Sequence, residues 1–453
     1  MIQSSSISDI ENTTNSQQAQ IQFVKWFRKV APYVHAFKDK TFIIAFGGEL
    51  IEDNCLNILV QDLSLLSALG IRLVLVYDAI PQANKQLKLK NNEKILSYDL
   101  EPINHNILEC IKEASGKVRL DIESSFSQGL PNTPMSNAKI RIISGNFVIA
   151  KPKGIIDGID YLYAGNIRKI DVDAIKSEIE KHSTIALLPA IGFSPTGESF
   201  VLKIEELATK AATSLKAEKL IFLTSSKNIE INSNLSGIEI ACNDVDSIIK
   251  SNCLDKEMTN LLYKAYKSVN NGVERAHIVP YYLDGSILLE VFTHYGIGAM
   301  VVANNLDYMR QAKIEDIGSI IKLIEPLEKE GILIKRSRNI LERDIDKFTV
   351  LEHDMMIYGC AALYEFPEEK MAEIACLTVI PELQNKGEGE NLFKHVEKKA
   401  KLNGIEQIFV LTTRTSHWFL KRGFHQADIS SLPLEKQKQY NKLRNSLIFI
   451  KNI

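Results

Sequence analysis

The sequence predicts an α/β protein of two domains: an open, parallel-rich sheet with helices on both faces, followed by an α+β domain. The first observation is size, because 453 residues that are 45% apolar and 24% charged can form at least two hydrophobic cores. The second is the alternation of apolar strands with helical segments up to about residue 303. The third is the clustering of strands ahead of a helix after residue 308.

Composition argues against several classes of protein. Lys plus Arg is 54 against 56 for Asp plus Glu, a net charge of −2, which disfavours a general nucleic-acid binder. The six cysteines are scattered without a CxxC pair or a Cys/His cluster, so we expect neither a metal site nor a disulfide framework. No apolar run reaches the ~20 residues that span a bilayer, and the N-terminus lacks the features of a targeting peptide. We therefore expect a cytoplasmic protein without a membrane or nucleic-acid partner.

The first domain is predicted at 21–303, after a disordered tail at 1–20 that is rich in Ser, Gln, Asn and Thr. Its first elements are a strand, a helix and a strand, which is the order of a βαβ unit with parallel strands. Strands are predicted at 41–46, 71–77, 140–143, 147–150, 185–189, 219–223 and 275–279, helices at 58–69, 205–217 and 287–292, and a closing apolar run at 298–303.

The second domain is predicted at 308–453, after a linker at 304–307. The expected order is strand, helix, three strands, helix, strand, helix, strand. These elements lie at 309–312, 314–330, 348–352, 356–363, 373–379, 389–402, 407–412, 416–422 and 446–450. Three strands in succession, joined by tight turns, indicate an α+β arrangement.

The strongest motif joins the strand that ends at Val379 to the helix that starts near Gly389. It is a Gln-x-x-Gly-x-Gly pattern, Gln384-Asn385-Lys386-Gly387-Glu388-Gly389. Glycines let the backbone turn so that N–H groups converge, and the helix start adds free N–H groups and a positive dipole end. This chemistry suits a pyrophosphate. A plain glycine-rich turn explains the same letters, since short glycine motifs recur by chance.

The order of elements around this motif resembles the GNAT acyltransferase fold. Further segments resemble the N-acetylglutamate synthase family, namely 328–338, 358–363, 373–376, 418–424 and 440–446. The first domain resembles that family's amino-acid-kinase-like domain, so the resemblance covers nearly the whole chain. It implies acetyl transfer from acetyl-CoA, as co-substrate, to the α-amine of L-glutamate, in the first step of arginine biosynthesis. It also implies a homo-oligomer, for which the aromatic stretch 23–27 is a candidate contact, with core packing as the alternative.

The resemblance assigns catalytic roles within the second domain. Glu373 matches the base that takes the proton of the substrate ammonium group; a solvated carboxylate at a strand end is the alternative. Thr412 matches a hydroxyl that protonates the leaving thiolate, or is a strand residue favoured by β-propensity. Main-chain N–H groups at Cys376 and Leu377 are expected to face the oxyanion.

Two further sets of residues are expected to bind the substrates. Arg336 and Arg444 match the family's glutamate-binding positions, and Ser446 adds a hydroxyl; a surface cation is the alternative for each arginine taken alone. The residues expected to bind acetyl-CoA are Cys376, Leu377, Val379, Gln384, Asn385, Lys386, Gly387, Glu388 and Gly389.

The first domain departs from the amino-acid kinases at positions that handle charge. Gly47-Gly48 resembles their phosphate-binding start, but Ala45 stands where those enzymes place a lysine. The next loop carries Asp78, which would repel a phosphate, and the later Thr-Asp pair is replaced by Thr224-Ser225. These departures disfavour phosphoryl transfer.

In the synthase family such a domain binds arginine as a feedback inhibitor, and residues 286–298 resemble that region. Glu290 is expected to receive the cationic group of arginine, with Gly296 and Gly298 letting a main-chain carbonyl face it. A helix-surface glutamate and a C-cap glycine explain these letters too. Two other functions stay open: an acetylglutamate kinase or bifunctional synthase/kinase, which Ala45 disfavours, and a non-catalytic arginine sensor, which the intact glycine loop disfavours.

Overall fold

The structure is a computed structural model, and it divides the chain into two compact units, Met1–Asn304 and Asn305–Ile453. It describes residues 7–90, 96, 101–128, 140–181, 183–225, 237–251, 254–293, 296–303, 308–353, 356–381, 384, 387–441 and 444–453. The predicted linker at 304–307 lies outside this described part. None of the helices in the described ranges is long and apolar enough to cross a membrane.

The strands of the first unit form a large sheet and two small ones. In chain order they are β1 (Thr41–Phe46), β2 (Arg72–Tyr77), β3 (Arg141–Ser144), β4 (Val148–Pro152), β5 (Ile155–Ile156), β6 (Ile159–Asp160), β7 (Gly165–Ile170), β8 (Thr184–Pro189), β9 (Ile191–Phe193), β10 (Ser199–Val201), β11 (Lys219–Thr224), β12 (Ile238–Ala241), β13 (Arg275–Pro280) and β14 (Ala299–Val302). The large sheet has the order β12-β14-β13-β11-β1-β2-β8-β3, and the smaller ones are β10-β9-β4-β7 and β5-β6.

The large sheet is parallel except where β14 runs against β13. Its central strands β1, β2, β8 and β11 are buried over most of their length, as expected for strands covered on both faces. The parallel-rich α/β fold is therefore confirmed. The carboxyl ends of the strands meet along one edge, which is where ligands bind in such sheets.

The helices of the first unit connect these strands. They are α1 (Ile7–Phe37), α2 (Glu49–Glu52), α3 (Leu56–Ala68), α4 (Ile80–Leu89), α5 (His105–Ser127), α6 (Val172–Ile179), α7 (Ile204–Leu215), α8 (Cys242–Lys250), α9 (Lys256–Asn270) and α10 (Ser286–Phe292). Helix α1 includes residues 7–20, where composition predicts a disordered tail. The physical reason is cooperativity, because a helix once nucleated extends into polar residues at little cost.

The second unit is one mixed sheet with helices. Its strands are β15 (Tyr308–Gln311), β16 (Phe348–His353), β17 (Met356–Phe366), β18 (Met371–Val379), β19 (Gln407–Thr412), β20 (His425–Ala427) and β21 (Leu447–Asn452), in the order β15-β16-β17-β18-β19-β21-β20. Its helices are α11 (Ile317–Lys329), α12 (Arg338–Arg343), α13 (Glu388–Leu402), α14 (Ser416–Leu420) and α15 (Leu434–Gln439). All pairs are antiparallel except β18 with β19.

Candidate active site

The site in the second unit lies where β18 and β19 separate. These strands pair only from Met371 to Glu373 on β18 and from Gln407 to Phe409 on β19, among the residues that the structure describes. Beyond this point β18 continues to Val379, while β19 pairs with β21 on its other side. A gap therefore opens inside the sheet, immediately after Glu373.

A β-bulge shapes the wall of this gap. Cys376 and Leu377 of β18 oppose the single residue Ala361 of β17. Cys376 has a φ of 52°, in the left-handed region that residues other than glycine rarely adopt. A bulge removes main-chain groups from the ladder and redirects them, so N–H donors become available at the point where the strands part. That is the requirement for stabilising an oxyanion.

The thiol of Cys376 is buried, and its role is packing. Burial raises the pKa of Cys376 to about 11, despite the opposing effect of the Arg336 charge. A thiol held neutral in this way is a poor nucleophile. The main-chain carbonyl of Cys376 accepts a weak hydrogen bond from the thiol of Cys360 at 3.6 Å. The geometry thus favours a main-chain contribution from Cys376.

Glu373 is a buried carboxylate that forms an ion pair. It is 6% exposed, and its Oε2 lies 2.5 Å from Nζ of Lys436 on α15. The alternative of a solvated strand-end carboxylate is therefore wrong for this structure. Sequence reasoning missed Lys436, because nothing in the polar sequence of α15 distinguishes it from the neighbouring lysine Lys438.

Arg336 lies beside the same residues. Its side chain hydrogen-bonds with Tyr364 and interacts electrostatically with Cys376 and Glu373. Burial lowers the pKa of Arg336, but the Cys376, Tyr364 and Glu373 groups outweigh this effect and raise it. Arg336 is thus a fixed cation next to the candidate base.

Arg444 completes a pair of arginines. Burial and the charge of Arg336 lower the pKa of Arg444, which places the two guanidinium groups near each other. Arg444 donates to the carbonyls of Ile332 and, at 3.4 Å, Gly331, while its Nε is buried with no hydrogen-bond partner among the described residues. Two neighbouring cations with an unused donor favour an anionic ligand. Ser446 is buried two residues further along the chain.

The glycine loop has the expected form where it is described. The Gln384 side chain donates to the Val379 carbonyl at 3.3 Å, and Gly387, with a φ of 97°, is the N-cap of α13. Asn385 and Lys386 lie outside the described residues. Glu388 and Gly389 form the first turn of α13, at the positive end of the helix dipole.

Thr412 ends β19 on the other side of the gap. Its hydroxyl lies 2.8 Å from the Thr415 hydroxyl and accepts from the N–H groups of Arg414 at 3.3 Å and Thr415 at 3.1 Å. These bonds hold a turn. Its role as a proton donor stays a prediction.

In the first unit, a carboxylate contacts the glycine pair that resembles the phosphate-binding start of the kinases. Oδ1 of Asp78 accepts from the N–H groups of Gly48 at 3.2 Å and Ile80 at 3.1 Å. Burial, and then the charge of Asp78, raise the pKa of Glu49 to about 7. Buried Asp78 and partly buried Glu49 thus place two acidic side chains in the segments that follow β1 and β2, which opposes binding of a nucleotide phosphate there.

The candidate effector residue Glu290 is part of a buried polar network. Its Oε1 lies 2.6 Å from Nδ1 of His277, and its Oε2 accepts from the N–H groups of Ile297 at 2.8 Å and Gly298 at 2.9 Å. Lys219 Nζ lies 3.4 Å from Nε2 of the same histidine. Glu290 is therefore not a helix-surface glutamate. His277 and Lys219 were not predicted, because isolated residues on two strands carry no local pattern.

The two glycines here are required by packing. A Cβ at Gly298 would collide with the Ile278 carbonyl, and one at Gly296, whose φ is 61°, would collide with the Glu290 carboxylate. The glycines thus let the chain close over Glu290. Whether their carbonyls face arginine stays a prediction.

We expect this network to make the first unit sensitive to acid. Burial lowers the pKa of His277 to about 4 from its usual 6.5. Burial alone would raise the pKa of Glu290, but the hydrogen bonds from His277, Gly298 and Ile297 lower it. Between pH 6.5 and 4 the unfolded chain binds more protons than the folded one. The contribution of His277 therefore lowers the free energy of unfolding by on the order of 3 kcal/mol as the pH falls through that window.

Thermal unfolding between pH 7 and 4.5 tests this expectation. His277→Gln should unfold at a lower temperature at pH 7, but its unfolding temperature should fall less on acidification. The control His105→Gln changes an exposed histidine and should show the same pH dependence as the unsubstituted protein. An equally steep acid dependence in His277→Gln would contradict the assignment.

Comparisons with known proteins agree with these two units. Residues 40–280 match the model of the amino acid kinase family, and residues 319–424 match that of the acetyltransferase (GNAT) family. The fold and the gap between β18 and β19 thus define an acyltransferase that carries an amino-acid-kinase-like domain.

Full-length relatives specify the family. The chain is 47% identical to an amino-acid acetyltransferase of Ralstonia nicotianae, over 96% of each chain, and 42% identical to one of Serratia proteamaculans, over 95% of this chain and 99% of the other. It is similar to the crystal structure of N-acetylglutamate synthase from Neisseria gonorrhoeae complexed with coenzyme A and L-arginine, with 36% identity, coverage of 95% and 99%, and a TM-score of 0.84. The chain belongs to the amino-acid acetyltransferase family.

Proposed function

We propose that the chain transfers the acetyl group of acetyl-CoA to the α-amine of L-glutamate, forming N-acetyl-L-glutamate and CoA without a metal ion. The single observation that carries this proposal is the gap after Glu373, where a buried carboxylate, a bulged strand and two arginines converge. Solved relatives from Neisseria gonorrhoeae bind coenzyme A with L-arginine or with N-acetyl-glutamate, which supports these ligands. The product would enter arginine biosynthesis in the cytoplasm.

Acetyl-CoA would bind along β18 and the glycine loop. The pyrophosphate would lie at Gly387, Glu388 and Gly389, at the positive end of the α13 helix dipole. The pantetheine would follow β18 towards Val379, and the thioester carbonyl would accept from the N–H groups at Cys376 and Leu377. Asn385 and Lys386 belong to this proposal through the sequence motif alone.

L-Glutamate would enter with its amine towards Glu373. The carboxylate takes the ammonium proton, directly or through water, so that the nitrogen lone pair attacks the thioester carbon. The C–S bond then breaks, and the nitrogen releases its second proton to solvent as the amide forms. The CoA thiolate receives a proton, for which the Thr412 hydroxyl, reprotonated from solvent, is our candidate donor. Arg336, Arg444 and Ser446 would bind the carboxylates of the substrate. Lys436 would hold Glu373 until the substrate ammonium group replaces it as the cation beside the carboxylate.

A coupled assay of CoA release with glutamate and acetyl-CoA tests the reaction. We expect release that depends on both substrates, and no phosphorylation of N-acetylglutamate by ATP. Absence of glutamate-dependent CoA release would overturn the proposal and favour the non-catalytic sensor. The Gln384-x-x-Gly387-x-Gly389 motif and Glu373 are both present in the sequence, which argues against a decayed transferase site.

We also propose that L-arginine inhibits the enzyme at the Glu290 network. Millimolar arginine should lower the rate of CoA release, and isothermal titration should show binding to the first unit. Glu290→Gln should weaken both effects, while Glu274→Gln, an exposed carboxylate elsewhere in that unit, should leave them unchanged. Arginine that neither binds nor alters the rate would contradict this assignment.

A homo-oligomer is part of the same proposal. Phe23, Trp26 and Phe27 on α1 are 62%, 43% and 58% exposed, and their rings pack against one another. They do not pack into the core of the chain, so an aromatic cluster of this kind favours contact with another subunit. Sedimentation velocity measures the assembly directly.

A further inference from the structure

A cavity lies within the first unit, and neither Asp78 nor Glu290 lines it. Its volume is about 370 Å³, and it sits outside the carboxyl ends of β2, β3 and β8. This is the edge of a parallel sheet at which ligands bind, and the volume is within the range of small-molecule sites.

One wall of the cavity is cationic. Lys112 and Arg119 lie seven residues apart on α5, so they share a helix face, and both line the cavity. No acidic residue is among the described residues of the lining. Glu109 and Glu123 pair with these cations along the helix at 2.9 and 3.4 Å, with all four side chains at least 37% exposed. Such exposed pairs are weak, so a ligand carboxylate can compete for the cations.

Gly116 supplies an independent observation on the same wall. It lies inside α5, where glycine destabilises a helix relative to alanine. A Cβ at this position would meet no heavy atom within 4 Å among the described residues, so packing does not require glycine. The open space belongs to the cavity, and a ligand that approaches the helix backbone closely would account for the missing side chain.

The other lining residues indicate the chemical character of the rest of the ligand. Phe193, which is 37% exposed, and Ile191 provide an apolar surface, and Asn146 provides an amide. Tyr77 lies at the base, where its hydroxyl donates to the Ser115 carbonyl at 3.1 Å. Burial raises the pKa of Tyr77, so the phenol stays neutral and adds no negative charge.

We propose that this cavity binds a small organic carboxylate with an apolar part, at a site separate from the acetyl-transfer site. The ligand carboxylate lies between Lys112 and Arg119, the carbon chain of the ligand passes over Gly116, and its apolar part contacts Phe193. The proposal gives a role to Tyr77, the last residue of β2.

Isothermal titration of the full-length enzyme with N-acetyl-L-leucine tests the proposal, with the neutral N-acetyl-L-leucinamide as the matched ligand. We expect the acid to bind with a Kd of about 1 mM or tighter and the amide at least about tenfold more weakly. Arg119→Met should weaken binding of the acid about tenfold or more, whereas Lys117→Met, on the same helix but outside the lining, should not.

Gly116→Leu separates binding from folding. The added side chain enters the open space of the cavity, so binding should be lost while the thermal midpoint stays equal or rises. Gly318→Leu, at an exposed helix position with equally open space, is the control for the added side chain. Equal binding of acid and amide, no binding of either, or unchanged binding by Gly116→Leu would overturn the proposal. So would binding that is lost in Arg336→Met but kept in Arg119→Met, because the ligand would then occupy the acetyl-transfer site.

Discussion

Replacing Glu373 with glutamine lowers kcat by about 10²–10⁴-fold at neutral pH, the usual contribution of a positioned general base. Glutamine keeps the shape of the side chain and cannot accept the ammonium proton. Part of the loss is recovered at alkaline pH, because a larger fraction of the substrate amine is already unprotonated. Steady-state rates across pH 6.5–10 measure both effects.

The matched control is Glu368→Gln, which changes an exposed carboxylate in the turn before β18. Its rates should equal those of the unsubstituted enzyme. Because Glu373→Gln also leaves Lys436 without its carboxylate, thermal unfolding is followed in parallel. An unchanged pH–rate profile in a folded Glu373→Gln enzyme would exclude the base role.

Replacing Arg444 with methionine raises the KM for glutamate by about 10–150-fold, which corresponds to the loss of a charged hydrogen bond worth about 1.5–3 kcal/mol. The KM for acetyl-CoA stays within about twofold of its original value. The physical reason is that Arg444 lies beside Arg336 with a buried Nε that has no partner among the described residues. The acetyl-CoA site that we propose uses main-chain groups of β18 and the glycine loop instead.

Arg338→Met is the matched arginine control. This side chain is 74% exposed and pairs with Glu342 on its own helix at 2.8 Å, so neither KM should change. The structure thus separates Arg338, a solvated charge, from Arg336, which lies beside the base. Equal increases of both KM values in Arg444→Met would indicate a general loss of structure and contradict the glutamate assignment.

Much of the fold was predictable because it rests on local patterns. The runs that form β1, β2 and β11 are apolar on both faces, which is typical of strands covered by helices on both sides of a sheet. Helix α5 was not predicted, although its buried residues recur at helical spacing, as at Ile107, Ile111 and Val118. The signal was present in the sequence, because a half-exposed helix carries the apolar stripe that periodicity detects.

Within the candidate site, residues with a local motif were predicted and those defined only by contact were missed. The Gln-x-x-Gly-x-Gly loop precedes α13 as expected, since a tight turn needs glycine wherever it occurs. Lys436 contacts Glu373 across the fold, and His277 contacts Glu290 between a strand and a helix. No spacing along the chain encodes either contact.

The sequence by itself determined the two-domain architecture, the glycine loop and the loss of the kinase lysine at Ala45. Each of these features depends on the identity of a single residue or on the hydrophobic periodicity of a short segment. Such local features do not depend on contacts between distant parts of the chain. Only the tertiary structure decided that β18 leaves β19 after Glu373, that Cys376 bulges, and that Arg444 lies beside Arg336. These features arise because strands distant along the chain must share one sheet, and the resulting close approach of buried charges exists only after the chain has packed.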